Sequence, residues 1–258
     1  GHIIARLNRL LNDEDRVKSS IVRYLVVNEF ENQSHMRLEQ AGSQEDYRPD
    51  IHELFVDLPY SLKGSKSVSF ALQDLVRASE TNHQLPERGP TQDWRKWEFW
   101  PERSHVWFIE AGPGHGKSTI GQMFSQILRS SLIVRSEGIQ TTPETLQKAG
   151  NVTEFSEKCA VEIHAPRIPV AVELREYASW SSKQGDGQPT GVVTYLAQRL
   201  AKEIEDEVST KLIKDLLFEN RWFFAFDGLD EVPQDEKDSI ANEIVQFVNH
   251  VCCLLYTS

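Results

Sequence analysis

The stretch Ala111-Gly112-Pro113-Gly114-His115-Gly116-Lys117-Ser118-Thr119 decides the fold class, because three glycines alternate there with other residues just before a helix-like segment. Glycine adopts backbone conformations that are closed to residues with a Cβ, so successive N–H groups can point inward at an anion. The next helix is expected to begin at Lys117, where unpaired N–H groups and the helix dipole favour negative charge. The stretch is therefore predicted to hold phosphate groups.

This loop fits the P-loop pattern, with alanine in place of the first glycine. Lys117 is expected to reach the β and γ phosphates of ATP, and the Ser118 hydroxyl is expected to ligate Mg²⁺. An apolar strand predicted at 106–109 supplies the strand, loop and helix order that the mechanism requires. The alternative is a glycine-rich turn whose lysine is only solvated. The predicted nucleotide-binding residues are Gly112, Pro113, Gly114, His115, Gly116, Lys117, Ser118 and Thr119.

An acidic run follows a second apolar strand, where Phe224-Ala225-Phe226 leads into Asp227-Gly228-Leu229-Asp230-Glu231. A carboxylate at the end of an apolar strand is costly to desolvate unless it is paired or bound to a metal. Asp227 is therefore predicted to hold magnesium opposite the P-loop. Asp230 or Glu231 is predicted to orient the water that attacks the γ-phosphate. The sequence leaves open which of these two is catalytic, and both could instead cap a helix.

Hydrophobic periodicity and turn residues predict two regions, with a linker near 80–91 that contains two prolines and Gly89. Residues 1–90 are predicted to form a small, mainly helical region, and 91–258 an α/β P-loop NTPase domain whose mostly parallel sheet is flanked by helices. The expected elements are two short helices within 4–25 that break near residue 13, a strand at 54–58, a helix at 67–78, a helix at 117–128, a polar connection to residue 160, strands at 168–174 and 222–226, and helices near 190–206, 209–219 and 234–248.

The composition argues against a membrane-spanning protein and against a broadly nucleic-acid-binding one. The net charge of -11 argues against broad non-specific binding to nucleic acid or anionic lipid, and no apolar run is long enough for a membrane helix. Cys159, Cys252 and Cys253 lack metal-ligand spacing and are expected to be reduced thiols in a cytoplasmic protein. The histidines show no convincing metal-ligand pair. The chain starts at a glycine, so we expect a piece of a longer protein, and whether 252–258 are native sequence stays open.

Two further features have both a functional and a structural explanation. Trp94, Trp97 and Trp100 stand at three-residue intervals before the first predicted sheet strand, where they could stack on a nucleotide base. Aromatic residues at helical spacing are more often part of a core, and we favour packing. Arg175, which follows the strand predicted at 168–174, is interpreted as a solvated or structural arginine.

Together these motifs resemble the NACHT domain of the STAND class of signal-transducing P-loop NTPases, which includes bacterial antiviral proteins and animal innate-immune receptors. The resemblance rests on residues 112–119 and, more specifically, on the acidic run 227–231, with weaker support from 169–176. It covers about residues 91–250. The family's next strand and the winged-helix histidine that commonly contacts ADP would lie beyond residue 258, so the domain is expected to be truncated at its C-terminal end.

The resemblance implies a cytoplasmic signalling switch that binds ATP or ADP with Mg²⁺ and hydrolyses ATP slowly. Such a protein is closed with ADP, opens when a sensor meets its ligand, for instance a viral protein, and forms a homo-oligomer with ATP bound. Two alternatives remain. One is a continuously turning-over AAA+-like ATPase, which needs an arginine finger beyond this chain, and the other is a scaffold that binds nucleotide without hydrolysing it.

Overall fold

The computed structural model describes residues 2–35, 49–60, 69–81, 109–110, 114–136, 138–185 and 189–256. These residues form a mixed structure of helices and strands, as the sequence predicts, and it is mainly helical with one parallel and one antiparallel pair of strands. The helices are α1 (His2–Arg23), α2 (Glu29–Asn32), α3 (Ile51–Leu54), α4 (Ala71–Thr81), α5 (Lys117–Arg135), α6 (Pro143–Lys158), α7 (Leu174–Ser181), α8 (Val192–Ile204), α9 (Thr210–Glu219) and α10 (Lys237–Tyr256). The strands are β1 (Pro59–Tyr60), β2 (Ser69–Phe70), β3 (Ile168–Glu173) and β4 (Trp222–Asp227).

The chain divides into two compact units. The strand-pair unit comprises residues 1–29 and 167–258, and the glycine-loop unit comprises residues 30–166. Each unit has its own buried apolar core, which is what a compact unit needs for stability. No helix within the described ranges is both long enough and apolar enough to span a membrane.

In the strand-pair unit, β3 and β4 run parallel, in register from the pair Ile168 and Trp222 to the pair Glu173 and Asp227. Most apolar residues of β3, among them Val170 and Val172, are buried, as expected for a parallel strand. Helices α7, α8 and α9 lie between the two strands in sequence, and a parallel connection requires such a crossover. The predictions of strands at 168–174 and 222–226 are therefore confirmed, and so are those of helices near 190–206 and 209–219.

The first helix differs from its prediction. Residues 2–23 form one continuous helix, although a break was expected near residue 13. The segment holds neither proline nor glycine, and Asn or Asp inside a helix costs only up to about 0.7 kcal/mol relative to alanine. A π-helical segment, Tyr24–Asn28, follows directly and buries Leu25, Val26 and Val27, and this segment contacts β3. Tertiary packing thus outweighs the weak tendency of residues 12–15 to break the helix.

The glycine-loop unit is built around α5, which packs against α6. Most residues of α5 after its first turn are buried, including the apolar residues Phe124 and Leu128. It runs past its predicted end at residue 128 to Arg135. Helix α6 was not predicted, because its sequence is largely polar. It does carry start signals, since the Thr142 hydroxyl accepts a hydrogen bond from the Thr145 N–H at 3.1 Å and Pro143 is its first residue.

The strand predicted at 54–58 is wrong. Helix α3 ends at Leu54, the following four residues are irregular, and the strand is Pro59–Tyr60, antiparallel to Ser69–Phe70. The Asp57 carboxylate explains the difference, because it accepts hydrogen bonds from the N–H groups of Leu72 at 2.8 Å and Gln73 at 3.1 Å. Asp57 therefore satisfies the first turn of α4, which begins at Ala71, later than the predicted residue 67.

Several predictions fall outside the described residues. These are the strand core 106–108, the tryptophans at 94, 97 and 100, and most of the predicted linker. The boundary between residues 90 and 91 lies in the same part of the chain and stays a prediction. Helix α10 is described and runs from Lys237 to Tyr256, further than the predicted 234–248.

Candidate nucleotide-binding site

The glycine loop has the backbone geometry that its sequence requires at the two glycines within the described part. Gly114 has φ +73° and Gly116 has φ +74°, both in the left-handed region that residues with a Cβ rarely adopt. Gly116 is the N-cap of α5, and a Cβ at this position would lie 3.3 Å from Leu58 Cδ1. A side chain at residue 116 would therefore be strained and crowded at once. Gly112 and Pro113 lie outside the described residues.

The first turn of α5 presents the predicted phosphate-binding residues. The helix begins at Lys117, and the Ile120 N–H closes the first turn on the Gly116 carbonyl at 3.0 Å. In any helix the N–H groups before that point lack an acceptor within the helix, which is why a helix N-terminus favours an anion. His115 and Ser118 are exposed, and Lys117 and Thr119 are half-buried. The arrangement is chemically suited to phosphate, because N–H donors and an ammonium group stand at a helix N-terminus.

The acidic run begins at the end of β4. Asp227 is the last residue of β4 and is half-buried, and Gly228 after it has a left-handed backbone conformation with φ +80°. Residues Leu229–Glu231 then form one turn of 3₁₀-helix. Both Asp230 and Glu231 are exposed in this turn. The next helix starts only at Lys237, so neither acidic residue caps it, and the capping alternative for Asp230 and Glu231 is not observed.

The strand register reveals one acidic residue that sequence reasoning missed. Glu173 ends β3 and is the direct register partner of Asp227, so two carboxyl-bearing residues end neighbouring parallel strands. Ligands of open parallel sheets bind outside the carboxyl ends of the strands. Carboxylate oxygens also suit Mg²⁺, which is held through one or two carboxylates and several waters. The strand prediction at 168–174 included Glu173, but only the register shows which residue stands beside Asp227.

Helix α7 follows Glu173 at once and is held by an aromatic cluster. The Tyr177 ring lies 5.7 Å from the Trp180 ring and 5.2 Å from the Tyr195 ring, measured between centroids. The Tyr177 hydroxyl is also hydrogen-bonded to the Glu243 carboxylate. Burial, followed by this hydrogen bond, raises the pKa of Tyr177 well above its usual range. The chain that leaves β3 is therefore anchored close to the strand end that carries Glu173.

The structure supports the solvated interpretation of Arg175, whose side chain is exposed on α7. The two halves of the predicted site belong to different compact units. Gly114, Gly116 and Lys117 lie in the glycine-loop unit, whereas Asp227 and its neighbours lie in the strand-pair unit. Compared with protein-family models, curated proteins and solved structures, the chain matches none of them.

Proposed function

We propose that this chain is the nucleotide-binding part of an ATP-dependent signalling switch of the NACHT type. The observation that carries the proposal is the glycine loop itself. Two glycines with positive φ stand at residues 114 and 116, directly before a long buried helix that starts with Lys117 and Ser118. Such a loop binds phosphate through backbone N–H groups, and lysine and serine in these places match the chemistry of a nucleoside triphosphate with its metal.

The carboxylates of the acidic run 227–231 support the hydrolytic part of the proposal. Asp227 would hold Mg²⁺ together with Ser118, and Asp230 or Glu231 would orient and polarise the attacking water. A bound Mg²⁺ would neutralise part of the negative charge of the triphosphate. The exposure of Asp230 and Glu231 leaves them accessible to water, which suits that role. The resemblance of the two motifs further supports slow hydrolysis, a change of shape between the ADP and ATP forms, and oligomerisation of the larger defence protein.

Calorimetric titration of the chain with ATP and with ADP, in the presence of Mg²⁺, tests the proposal. We expect saturable binding of both nucleotides and slow release of inorganic phosphate from ATP. Binding without any phosphate release would favour the scaffold alternative, and rapid continuous release would favour an AAA+-like ATPase. Failure to bind either nucleotide would contradict the proposal, provided that circular dichroism shows a folded chain.

The Asp227→Asn substitution is expected to alter the magnesium requirement more than nucleotide binding as such. Asparagine keeps the shape of the side chain but removes the negative charge, and interactions with charged groups are worth about 1.5–3 kcal/mol. We therefore expect the Mg²⁺ concentration for half-maximal ATP binding to rise about tenfold or more, with binding of metal-free ADP unchanged. Magnesium titrations at fixed ATP measure this. The matched control is Asp235→Asn, an exposed aspartate on the same connection, and equal titrations for both variants would argue against the role of Asp227.

A further inference from the structure

Three side chains with metal-binding atoms converge in the glycine-loop unit, outside the glycine loop, and a fourth adjoins one of them. The three belong to Asp50, His52 and Glu53, and His35 adjoins Asp50. The backbone brings them together, because His35 and Asp50 form an isolated antiparallel bridge and the Ile51 N–H donates to the Ser34 carbonyl at 2.7 Å. Helix α3 then begins at Ile51. Residues on both sides of the bridge thus face one small region.

The spacing of the donor atoms suits a single metal ion. One ligand atom each from Asp50, His52 and Glu53 lie within 4.8 Å of one another. The fourth donor, His35 Nδ1, lies 3.2 Å from Asp50 Oδ1. In a tetrahedral zinc site with bonds of about 2.0–2.1 Å, neighbouring donor atoms are about 3.3 Å apart. The donors of Asp50, His52 and Glu53 are therefore grouped closely enough for one ion, and His35 Nδ1 stands beside Asp50 as a fourth candidate ligand.

Two of these atoms also lack the partner that burial normally demands. His35 Nδ1 and Asp50 Oδ1 are shielded from solvent, and neither makes a hydrogen bond, although the two atoms lie 3.2 Å apart. Leaving a buried donor or acceptor unsatisfied is destabilising, so native structures seldom tolerate it. An ion between the two atoms would satisfy both at once. Lys148 lines a cavity next to Asp50 and His52, and its ammonium group pairs with Glu144 at 3.3 Å.

We propose that His35, Asp50, His52 and Glu53 form a binding site for a divalent transition-metal ion, with zinc as the best match. Imidazole nitrogens suit zinc and its neighbours, whereas Mg²⁺ prefers an octahedral shell of oxygen atoms. Four protein ligands make a closed site, which is typical of structural rather than catalytic zinc. The site is distinct from the predicted Mg²⁺ site at Ser118 and Asp227, and the proposal does not depend on nucleotide binding.

The site would reinforce the contact between the bridge and α5. Gln122, on α5, donates its side-chain N–H groups to the carbonyls of Gln33 at 2.9 Å and His35 at 3.1 Å. An ion that fixes His35 to Asp50 would hold these carbonyls in place. Metal that binds only the folded chain also raises its stability through mass action. The melting temperature of the metal-free chain is therefore expected to rise when zinc is added.

Titration of the metal-free full chain with Zn²⁺, without nucleotide and against a chromophoric chelator, tests this site. We expect one zinc per chain, no displacement by excess Mg²⁺, and a visible absorption band typical of tetrahedral coordination when Co²⁺ replaces zinc. His52→Phe keeps an aromatic ring against Phe155, whose ring lies 6.4 Å from that of His52. Since loss of even an outer partner costs 10- to 100-fold in metal affinity, we expect His52→Phe and His35→Ala each to lower zinc affinity at least about tenfold.

The matched control is His164→Ala, because His164 is an exposed histidine that lies 3.7 Å from Glu162 in the same unit. This variant should bind zinc like the parent, and so should Lys117→Ala, which separates the site from the glycine loop. Circular dichroism of the metal-free variants checks their folding, and Glu53→Gln, at an exposed position, provides a second ligand variant. Absence of zinc binding in the parent, or equal binding by His52→Phe, His35→Ala and His164→Ala, would overturn the proposal.

Discussion

Replacing Lys117 with alanine is expected to reduce the affinity for MgATP by about tenfold to a hundredfold. Lys117 is the first residue of α5, where its ammonium group would meet the β and γ phosphates. Each charge-assisted hydrogen bond that is lost is worth about 1.5–3 kcal/mol, and about 1.4 kcal/mol corresponds to a tenfold change in affinity. The backbone N–H groups of the loop remain, so residual binding is expected. Isothermal titration calorimetry of the parent and the variant measures the difference.

A matched lysine separates this effect from a general loss of positive charge. Lys158 ends α6 in the same unit, is largely exposed and pairs with Glu154 at 2.7 Å. An exposed pair of this kind contributes little to stability, so Lys158→Ala should bind MgATP as the parent does. If Lys117→Ala retained the parent's affinity, the P-loop assignment would be abandoned, because the glycine geometry alone does not require phosphate binding.

The Arg199→Met substitution is expected to lower the free energy of unfolding by about 3–5 kcal/mol. The Arg199 guanidinium is hydrogen-bonded to the Glu29 carboxylate, and it donates to the Ala171 carbonyl of β3 at 2.7 Å. The Glu29 side chain is only 3% exposed. Burial lowers the pKa of Arg199, but Glu29 and the nearby tyrosines raise it more, so the pKa lies above its usual value and the guanidinium stays charged. Methionine would fill part of the space and leave Glu29 buried without its arginine.

A double-mutant cycle tests this explanation with urea unfolding followed by circular dichroism. Replacing both partners, as Glu29→Leu with Arg199→Met, should be less destabilising than Arg199→Met alone, because no buried charge is then left without its partner. The control is Arg16→Met, which breaks the ion pair of Arg16 with Asp206, and Arg16 is 60% exposed there. Surface pairs are worth about 0–1 kcal/mol, so this loss should be small. Equal losses for Arg16→Met and Arg199→Met would refute the burial argument.

The sequence predicts the parts of the fold in which local signals agree with tertiary packing. Strands β3 and β4 are apolar runs of a length typical of strands, and the glycine loop indicates where α5 begins. Helix α6 escaped prediction because its polar sequence hides a narrow apolar face, of which Ala149 and Val152 are buried. The irregular segment after α3 escaped because Asp57 acts through a contact with α4.

The same distinction applies to the candidate sites. The sequence alone singles out Asp227, because a carboxylate at the end of an apolar strand is costly to bury unless it is paired or bound to a metal. Its neighbour Glu173 depends on strand register, which hydrophobic pattern alone does not define in a parallel pair joined by a long crossover. The proposed zinc ligands depend on a backbone bridge between His35 and Asp50, which are far apart in sequence. No local spacing reveals that their side chains meet.

The parallel pairing of β3 with β4 also has a consequence for biosynthesis. During translation β3 is complete at Glu173, but its partner does not exist until Asp227 has been made and has left the ribosome. Contacts that are so distant in sequence form slowly, and an unpaired apolar strand is a template for association with other chains. Helices α7, α8 and α9 emerge in the interval. We therefore expect that, in the nascent chain, these helices shield β3 until residue 227 becomes available.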